Sequence, residues 1–336
     1  MTITIVAGAR PNFMKIAPII DAIKEQQSKG IDINFRLVHT GQHYDKNLSD
    51  TFFEELNIPF PDVNLEVKSG TQAEQTAAIM VGFEKDLKKH PTDLVMVVGD
   101  VTSTMACTIV AKKEGVKVAH VEAGIRSGDL RMPEEINRMV TDSLTDYFFT
   151  TSKYANSNLK KLGFVDDQIF FVGNVMIDTL RKNEERLKQP QLWKELGLKA
   201  KGFMVMTLHR PSNVDEENQL KALISQIVEL GKDYPIIFPV HPRTKKLLQD
   251  LDLNFENLHY VEPLGYLEFN YLVKNAFAML TDSGGITEET TVMNVPCITL
   301  RENTERPETC EIGTNVLVGN DKNKIEQAFA QLLSGN

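Results

Sequence analysis

The sequence predicts an α/β protein of two Rossmann-like, doubly wound domains facing a central cleft. Three observations lead there. Short aliphatic and β-branched runs alternate with segments of helical period along the whole chain. The runs are apolar throughout rather than alternating, the pattern of parallel strands covered on both faces. The chain has 336 residues, which suits two domains of ordinary size.

Taken in order, the expected strands of the first half are Thr2–Ala7, Phe35–His39, Leu94–Val98, Val116–Val121, Tyr147–Thr150 and Ile169–Val172. Those of the second half are Met204–Thr207, Pro235–Pro239, His259–Val261, Ala276–Leu280, Cys297–Leu300 and Asn315–Val318. Between them Ile16, Ile19, Ile20 and Ile23 repeat at i, i+3, i+4, i+7, as do Leu220, Leu223, Ile224 and Ile227, and again Ile325, Ala328, Phe329 and Leu332. Pro133 suits a first helical position and Glu134 and Glu135 suit a first turn, so a helix is expected over Pro133–Leu144. The break is placed near Gly173-Asn174, giving domains 1–171 and 172–336, with a helix from Val175 to about Leu187 opening the second. Two such domains would bring their strand ends to one cleft.

Charge and composition exclude several classes. Hydrophobic residues are 42% and charged residues 25%, an ordinary globular balance. A net charge of −9 argues against a nucleic-acid surface, which needs a basic face. Cys107, Cys297 and Cys310 show no CxxC spacing, so neither a disulfide framework nor a zinc site is expected. No apolar run is long enough for a bilayer, and Thr2–Ala7 reads as a core strand rather than a leader. These features predict a cytoplasmic protein without membrane contact. His39 and His43 lack a supporting carboxylate or a second helical histidine, so no metal is expected there.

Chemistry concentrates where strands end. Residues 120–138 hold four carboxylates and three arginines directly after an apolar run. Glu122 leaves the strand, Arg126 sits on the loop, and Glu134, Glu135 and Arg138 follow on the expected helix; charge crowded at a strand end is how an α/β cleft is built. A solvated first turn would account equally well for Glu135, whereas a strand-end Glu122 has no capping role. Thr281-Asp282-Ser283-Gly284-Gly285 runs from a strand through two glycines into a helix. That arrangement favours a diphosphate at Ser283–Gly285, with Glu289 one turn on able to accept ribose hydroxyls. After the first strand, Gly8-Ala9-Arg10-Pro11 aims Arg10 at the cleft with Lys15 one turn on; neither GxGxxG nor GxxxxGK[ST] occurs. His209 and His241, each with an arginine close by, follow two strands of the second half and suit phosphate contacts.

These motifs occur in one order: Gly8-Ala9-Arg10-Pro11, Val98-Gly99-Asp100, His120-Val121-Glu122-Ala123-Gly124, Met132-Pro133-Glu134-Glu135-Ile136-Asn137-Arg138, Leu208-His209-Arg210, Asp282 through Glu289, and Thr304-Glu305-Arg306-Pro307-Glu308. Together, from Met1 to about Gly319, they resemble the non-hydrolysing UDP-N-acetylglucosamine 2-epimerases. The resemblance implies a glycosyltransferase-B-like (GT-B-like) fold and interconversion of UDP-GlcNAc and UDP-ManNAc through 2-acetamidoglucal. It implies catalytic roles for Asp100, Glu122, Glu134 and His209. It implies substrate contacts for Arg10, Arg138, Ser283, Gly284, Gly285, Glu289 and Arg306, to which Lys15 and His241 are added from their places near strand ends. It implies a UDP-sugar as the partner, a homodimer, and no cofactor or metal, because the cycle is redox-neutral. Alternatives are a 2-epimerase of another UDP-2-acetamido sugar such as a diacetamido uronate, a hydrolysing epimerase releasing ManNAc and UDP, a transferase of the same fold, or a UDP-sugar sensor.

Overall fold

The computed structural model describes residues 1–41, 53, 55–214, 216–240, 248, 251 and 253–334. It divides into two compact units, Met1–Lys182 and Asn183–Asn336. Each is a parallel sheet wound with helices, as the apolar runs require.

The first unit has seven strands: β1 (Thr2–Ala7), β2 (Asn34–His39), β3 (Val63–Asn64), β4 (Leu94–Val98), β5 (Lys117–Val121), β6 (Tyr147–Thr150) and β7 (Ile169–Phe171). Their order is β3-β2-β1-β4-β5-β6-β7, all parallel. The winding direction reverses between β1 and β4, so a crevice opens beyond their C-terminal ends. The register pairs Val98 with Val121, which sets Gly99-Asp100 beside Glu122. One sheet face presents Val6, Val38, Val95, Val97 and Val118 to helices Gln72–Lys89 and Thr102–Lys113, which bury Phe83 and Val110 against it.

The second unit has six strands: β8 (Met204–Thr207), β9 (Ile236–Pro239), β10 (Leu258–Val261), β11 (Ala278–Thr281), β12 (Cys297–Thr299) and β13 (Asn315–Leu317). Their order is β10-β9-β8-β11-β12-β13, again all parallel, with the reversal between β8 and β11. The two-residue period is plain. Met204, Met206 and Ile236 face helices Glu217–Leu230 and Lys322–Ser334, while Phe203, Val205 and Ile237 face Leu272 and Val273 of helix Tyr266–Asn275. Pairing of Thr207 with Thr281 brings His209 beside Asp282 and Ser283.

Two expectations change. The division between units falls after Lys182, not after residue 171. Helix Val175–Asn183 belongs with the first unit up to Lys182, because the Thr179 hydroxyl donates to the Met14 carbonyl at 2.6 Å and Lys182 pairs with Asp21. A helix following a strand reads alike whichever sheet it packs on, so sequence placed it one domain late. The short β3 was not expected, since two residues carry no period. No described helix is long and apolar enough to cross a membrane.

Candidate active site

In the first unit the site is built on the turns after β1, β4 and β5. Asn12, buried in the first turn of helix Arg10–Ser28, accepts the N–H groups of Gly8 and Ala9 at 3.0 Å each and donates to the Val98 carbonyl at 3.0 Å. One amide therefore ties the β1 turn to the end of β4. Lys15, one turn along, reaches Glu122 with Nζ 2.6 Å from Oε2. Glu122 is 4% exposed and adopts φ +68°, a left-handed conformation that costs about 1–3 kcal/mol in a non-glycine residue. The strain is held by a shared acceptor, since the N–H groups of Glu122 and Ala123 both donate to the Phe149 carbonyl. A bent strand end of this kind aims a carboxylate where an ordinary strand would not.

Asp100 is held by the helix that follows. Arg138 donates Nε and Nη2 to Asp100 Oδ2 at 3.0 and 2.5 Å, and Asn137 donates to the Asp100 carbonyl at 2.8 Å. Arg138 is itself buried and gives Nη1 to Glu135 Oε2 at 2.8 Å. Glu135 also accepts the N–H groups of Ser127 and Gly128 at 2.9 and 3.0 Å, which fastens the loop behind the helix. Burial alone would raise its pKa, but these N–H donors and Arg138 outweigh it and hold the carboxyl below the usual range. Glu134, its neighbour, is half-buried. Asp100 and Glu122 thus stand at adjacent strand ends, each with a cation. Only the backbone of Arg10 is described, opening its helix, and His241 and His43 lie outside the described residues.

In the second unit the turns after β8 and β11 make the site. Asp282 is fully buried and collects four donors. The N–H groups of His209 and Arg210 reach its Oδ2 at 3.0 and 2.9 Å, Asn213 Nδ2 lies at 3.0 Å, and His209 Nδ1 is 2.7 Å from Oδ1. Burial pushes the Asp282 pKa up, but the hydrogen bond from His209 and the backbone donors reverse it and leave it lowered. With Nδ1 engaged, the 62%-exposed His209 ring presents Nε2 outward. Ser283 stands at the N-cap position of helix Gly284–Val292 without a side-chain capping bond, and the first turn leaves N–H groups without an intrahelical acceptor. A Cβ on Gly284 would lie 2.5 Å from Glu305 Oε1 and 3.1 Å from Arg301 Nη1, so any larger residue there would displace the ends of those two side chains. Arg301 and Glu305 are paired at 2.6 Å. Glu289 is buried, accepts the Tyr266 hydroxyl at 3.1 Å, and is pushed up to about 7 by burial, with Glu288 adding to the rise. Arg306 is buried and paired with Glu288 at 3.0 Å, so its observed contact is inside the fold.

Sequence reasoning left Asn12, His120, Asp142, Arg301 and the positioning role of Asp282 without an assignment, and left Glu135 open. Asn12, His120, Asp142 and Asp282 act through polar contacts with residues distant in the chain, whereas Arg301 pairs with Glu305 and Glu135 with Arg138 within four positions. The signals were slight: an Asn right after the Pro of a strand-end turn, and a His inside an apolar strand.

The fold and site define the class first: an α/β protein of two parallel Rossmann-like sheets, with clamped carboxylates at the strand ends of one and a glycine-opened helix N-terminus at those of the other. The chain belongs to the UDP-N-acetylglucosamine 2-epimerase family, whose profile matches residues 24–336. It is 42% identical to a UDP-N-acetylglucosamine 2-epimerase of Methanocaldococcus jannaschii, over 99% of this chain and 93% of that one. It is 38% identical to a UDP-2,3-diacetamido-2,3-dideoxy-D-glucuronate 2-epimerase of Pseudomonas aeruginosa, over 98% and 91%. The crystal structure of the M. jannaschii UDP-GlcNAc 2-epimerase in complex with UDP-GlcNAc and UDP is similar, with a TM-score of 0.90 at 42% identity, covering 99% of this chain and 93% of that chain. The chain is therefore of the epimerase enzyme family, with the α/β fold of those GT-B-like relatives.

Proposed function

We propose that the protein interconverts UDP-N-acetylglucosamine and UDP-N-acetylmannosamine without net hydrolysis. The observation that carries this is the pairing of Asp100 and Glu122 at adjacent strand ends, each clamped by a cation, in a chain of this family. The C2 proton of the sugar has no adjacent carbonyl to acidify it. As the C1–O bond to UDP breaks, positive character at C1 acidifies that proton. A carboxylate removes it, the C–H electrons form the C1–C2 double bond of 2-acetamidoglucal, and UDP leaves with the C–O electrons. Re-addition returns UDP to C1 while a carboxylic acid delivers a proton to the opposite face of C2. Asp100, Glu122 and Glu134 supply base and acid.

The leaving diphosphate is met by Ser283–Gly285 and by His209 Nε2, where preorganised donors act on developing charge. Arg138 and Lys15 orient the carboxylates, and Arg10 and His241 keep the substrate contacts expected from sequence. Arg306, paired with Glu288, keeps the substrate contact expected from sequence as part of the proposal. Cytoplasmic residence and a homodimeric state complete the proposal. The P. aeruginosa relative supports a second reading, in which the sugar is a diacetamido uronate. Incubation with UDP-GlcNAc in deuterated water, followed by NMR, tests the first. One solvent deuteron at C2 of UDP-ManNAc is expected, since base and acid on opposite faces do not exchange a proton. Retention of the original hydrogen would eliminate the two-face mechanism, release of free ManNAc would make it a hydrolysing enzyme, and turnover of only the uronate would favour the second reading.

The ribose role of Glu289 has its own test. Its carboxyl titrates at about 7 in the folded protein against 4.5 ordinarily, so folding takes up a proton and stability falls as pH rises through that window. Ribose hydroxyls donate best to the ionised form. Uridine, which has no phosphate to titrate, is expected to bind about tenfold tighter at pH 8 than at pH 6. Glu289→Gln should flatten that dependence, and Glu289→Ala should weaken UDP by about 1–3 kcal/mol. Calorimetry showing uridine affinity independent of pH would remove Glu289 from the ribose.

A further inference from the structure

Beneath the carboxylates of the first unit lies a pair that no step of the proposed reaction uses. His120 and Asp142 are both 0% exposed. His120 Nδ1 is 2.7 Å from Asp142 Oδ1, and Nε2 is 2.8 Å from the Gly99 carbonyl oxygen. The second oxygen of Asp142 accepts the Gly124 N–H at 3.1 Å and Arg126 Nη1 at 2.7 Å. Packing an apolar pair of similar volume would avoid the desolvation cost, so these side chains need a geometric reason to be there.

We propose that His120 and Asp142 are positioning residues that fix the spacing of the reaction's carboxylates. The inference rests on the reading of Asp100, Glu122 and Glu134 as acid and base. Each contact of the pair falls beside one of them. Gly99 directly precedes Asp100, with φ +70° and its own N–H donated to the Val121 carbonyl at 3.0 Å. The imidazole bond to its carbonyl pins the other side of that turn. Gly124 lies two residues after the strained Glu122. Asp142 sits on helix Pro133–Leu144, two turns beyond Glu134. Besides the pair, Arg138 and Asn137 tie the helix to Asp100, and the Gly99 N–H ties the β4 turn to β5 through the Val121 carbonyl. A reacting group misplaced by about 1 Å costs about 10² in rate.

Two variants separate the contacts. In His120→Asn the amide stays near Nδ1, close to Asp142, and the donor to Gly99 is lost. In His120→Gln the amide reaches the Nε2 position and keeps that donor. His120→Asn is expected to lower kcat by about 10–10²-fold with KM and UDP affinity within roughly twofold, and His120→Gln to recover most of the loss. Amide hydrogen exchange at residues 99–101 and 122–124, read without substrate, should quicken in His120→Asn and stay near wild type at 99–101 in His120→Gln. Equal losses in the two variants, unchanged kcat in His120→Asn, or UDP affinity falling in step with kcat would each overturn the proposal. Should His120→Asn fail to fold, a 10²-fold loss in His120→Gln would overturn it, and near-wild-type turnover would support it. A wild type that does not epimerise UDP-GlcNAc would refute the proposed function instead, and the exchange measurement would still decide the positioning role.

Discussion

Asp100→Asn, Glu122→Gln and Glu134→Gln are each expected to cut turnover by about 10²–10⁴-fold, the range for a positioned acid or base. UDP affinity should stay within roughly twofold, because in the proposed reaction these side chains serve the sugar carbon and the diphosphate has its own donors. Secondary effects should differ with the partners each group leaves behind. Glu122→Gln removes the carboxylate that faces Lys15 at 2.6 Å, so a buried ammonium loses its counter-charge and stability should fall too. Asp100 is partly exposed, so Asp100→Asn should cost little stability despite the loss of Arg138's partner. Glu135→Gln serves as the contrast. That carboxylate clamps a loop through Ser127, Gly128 and Arg138, so its loss should lower Tm first. Measured kcat, UDP titration and thermal melts separate these effects. Full turnover in any of the three first variants would take that residue out of the chemistry.

Asp282→Asn is expected to lose about 10²-fold or more in turnover and about 3 kcal/mol in stability. The carboxylate collects two backbone N–H groups, an asparagine amide and the His209 ring, and an amide cannot accept them all. An amide NH₂ facing Nδ1 would also force the ring to carry its proton on Nε2, fixing the wrong tautomer for part of the cycle. The sign with pH follows from the lowered Asp282 pKa. Its stabilisation is present above the ordinary 3.8 and is lost as pH falls through the folded value. Acid melts of the wild type should therefore steepen below about pH 4, and Asp282→Asn should show a shallower decline there. An unchanged acid slope with full turnover would show that Asp282 supports neither the turn nor the histidine.

Much of the fold was legible because it rests on local pattern. The apolar runs at Thr2–Ala7, Leu94–Val98, Tyr147–Thr150 and Met204–Thr207 form strands over those same residues, since a strand covered on both faces leaves no ambiguity of register against water. Pro133 and two glutamates marked a helix start that the structure keeps at Pro133. The candidate site was legible where charge or glycine stands at a strand end, as at Asp100, Glu122, His209 and Gly284-Gly285. It was not legible where a role depends on a partner far along the chain. Asn12 gave no sign that its amide would reach the Val98 carbonyl, 86 positions away.

Two sheets of parallel strands, their places along the chain, and the motifs that mark the family can all be read from local residue order. The tertiary structure set which side chain meets which carboxylate. Lys15 reaches Glu122 across 107 positions of sequence, and Asp282 holds His209 across 73. It also decided that helix Val175–Asn183 packs with the first unit as far as Lys182. The reason is physical. Strand and helix periods are set by neighbours two to four residues away, whereas a buried ion pair exists only once two distant strand ends are side by side and water has left.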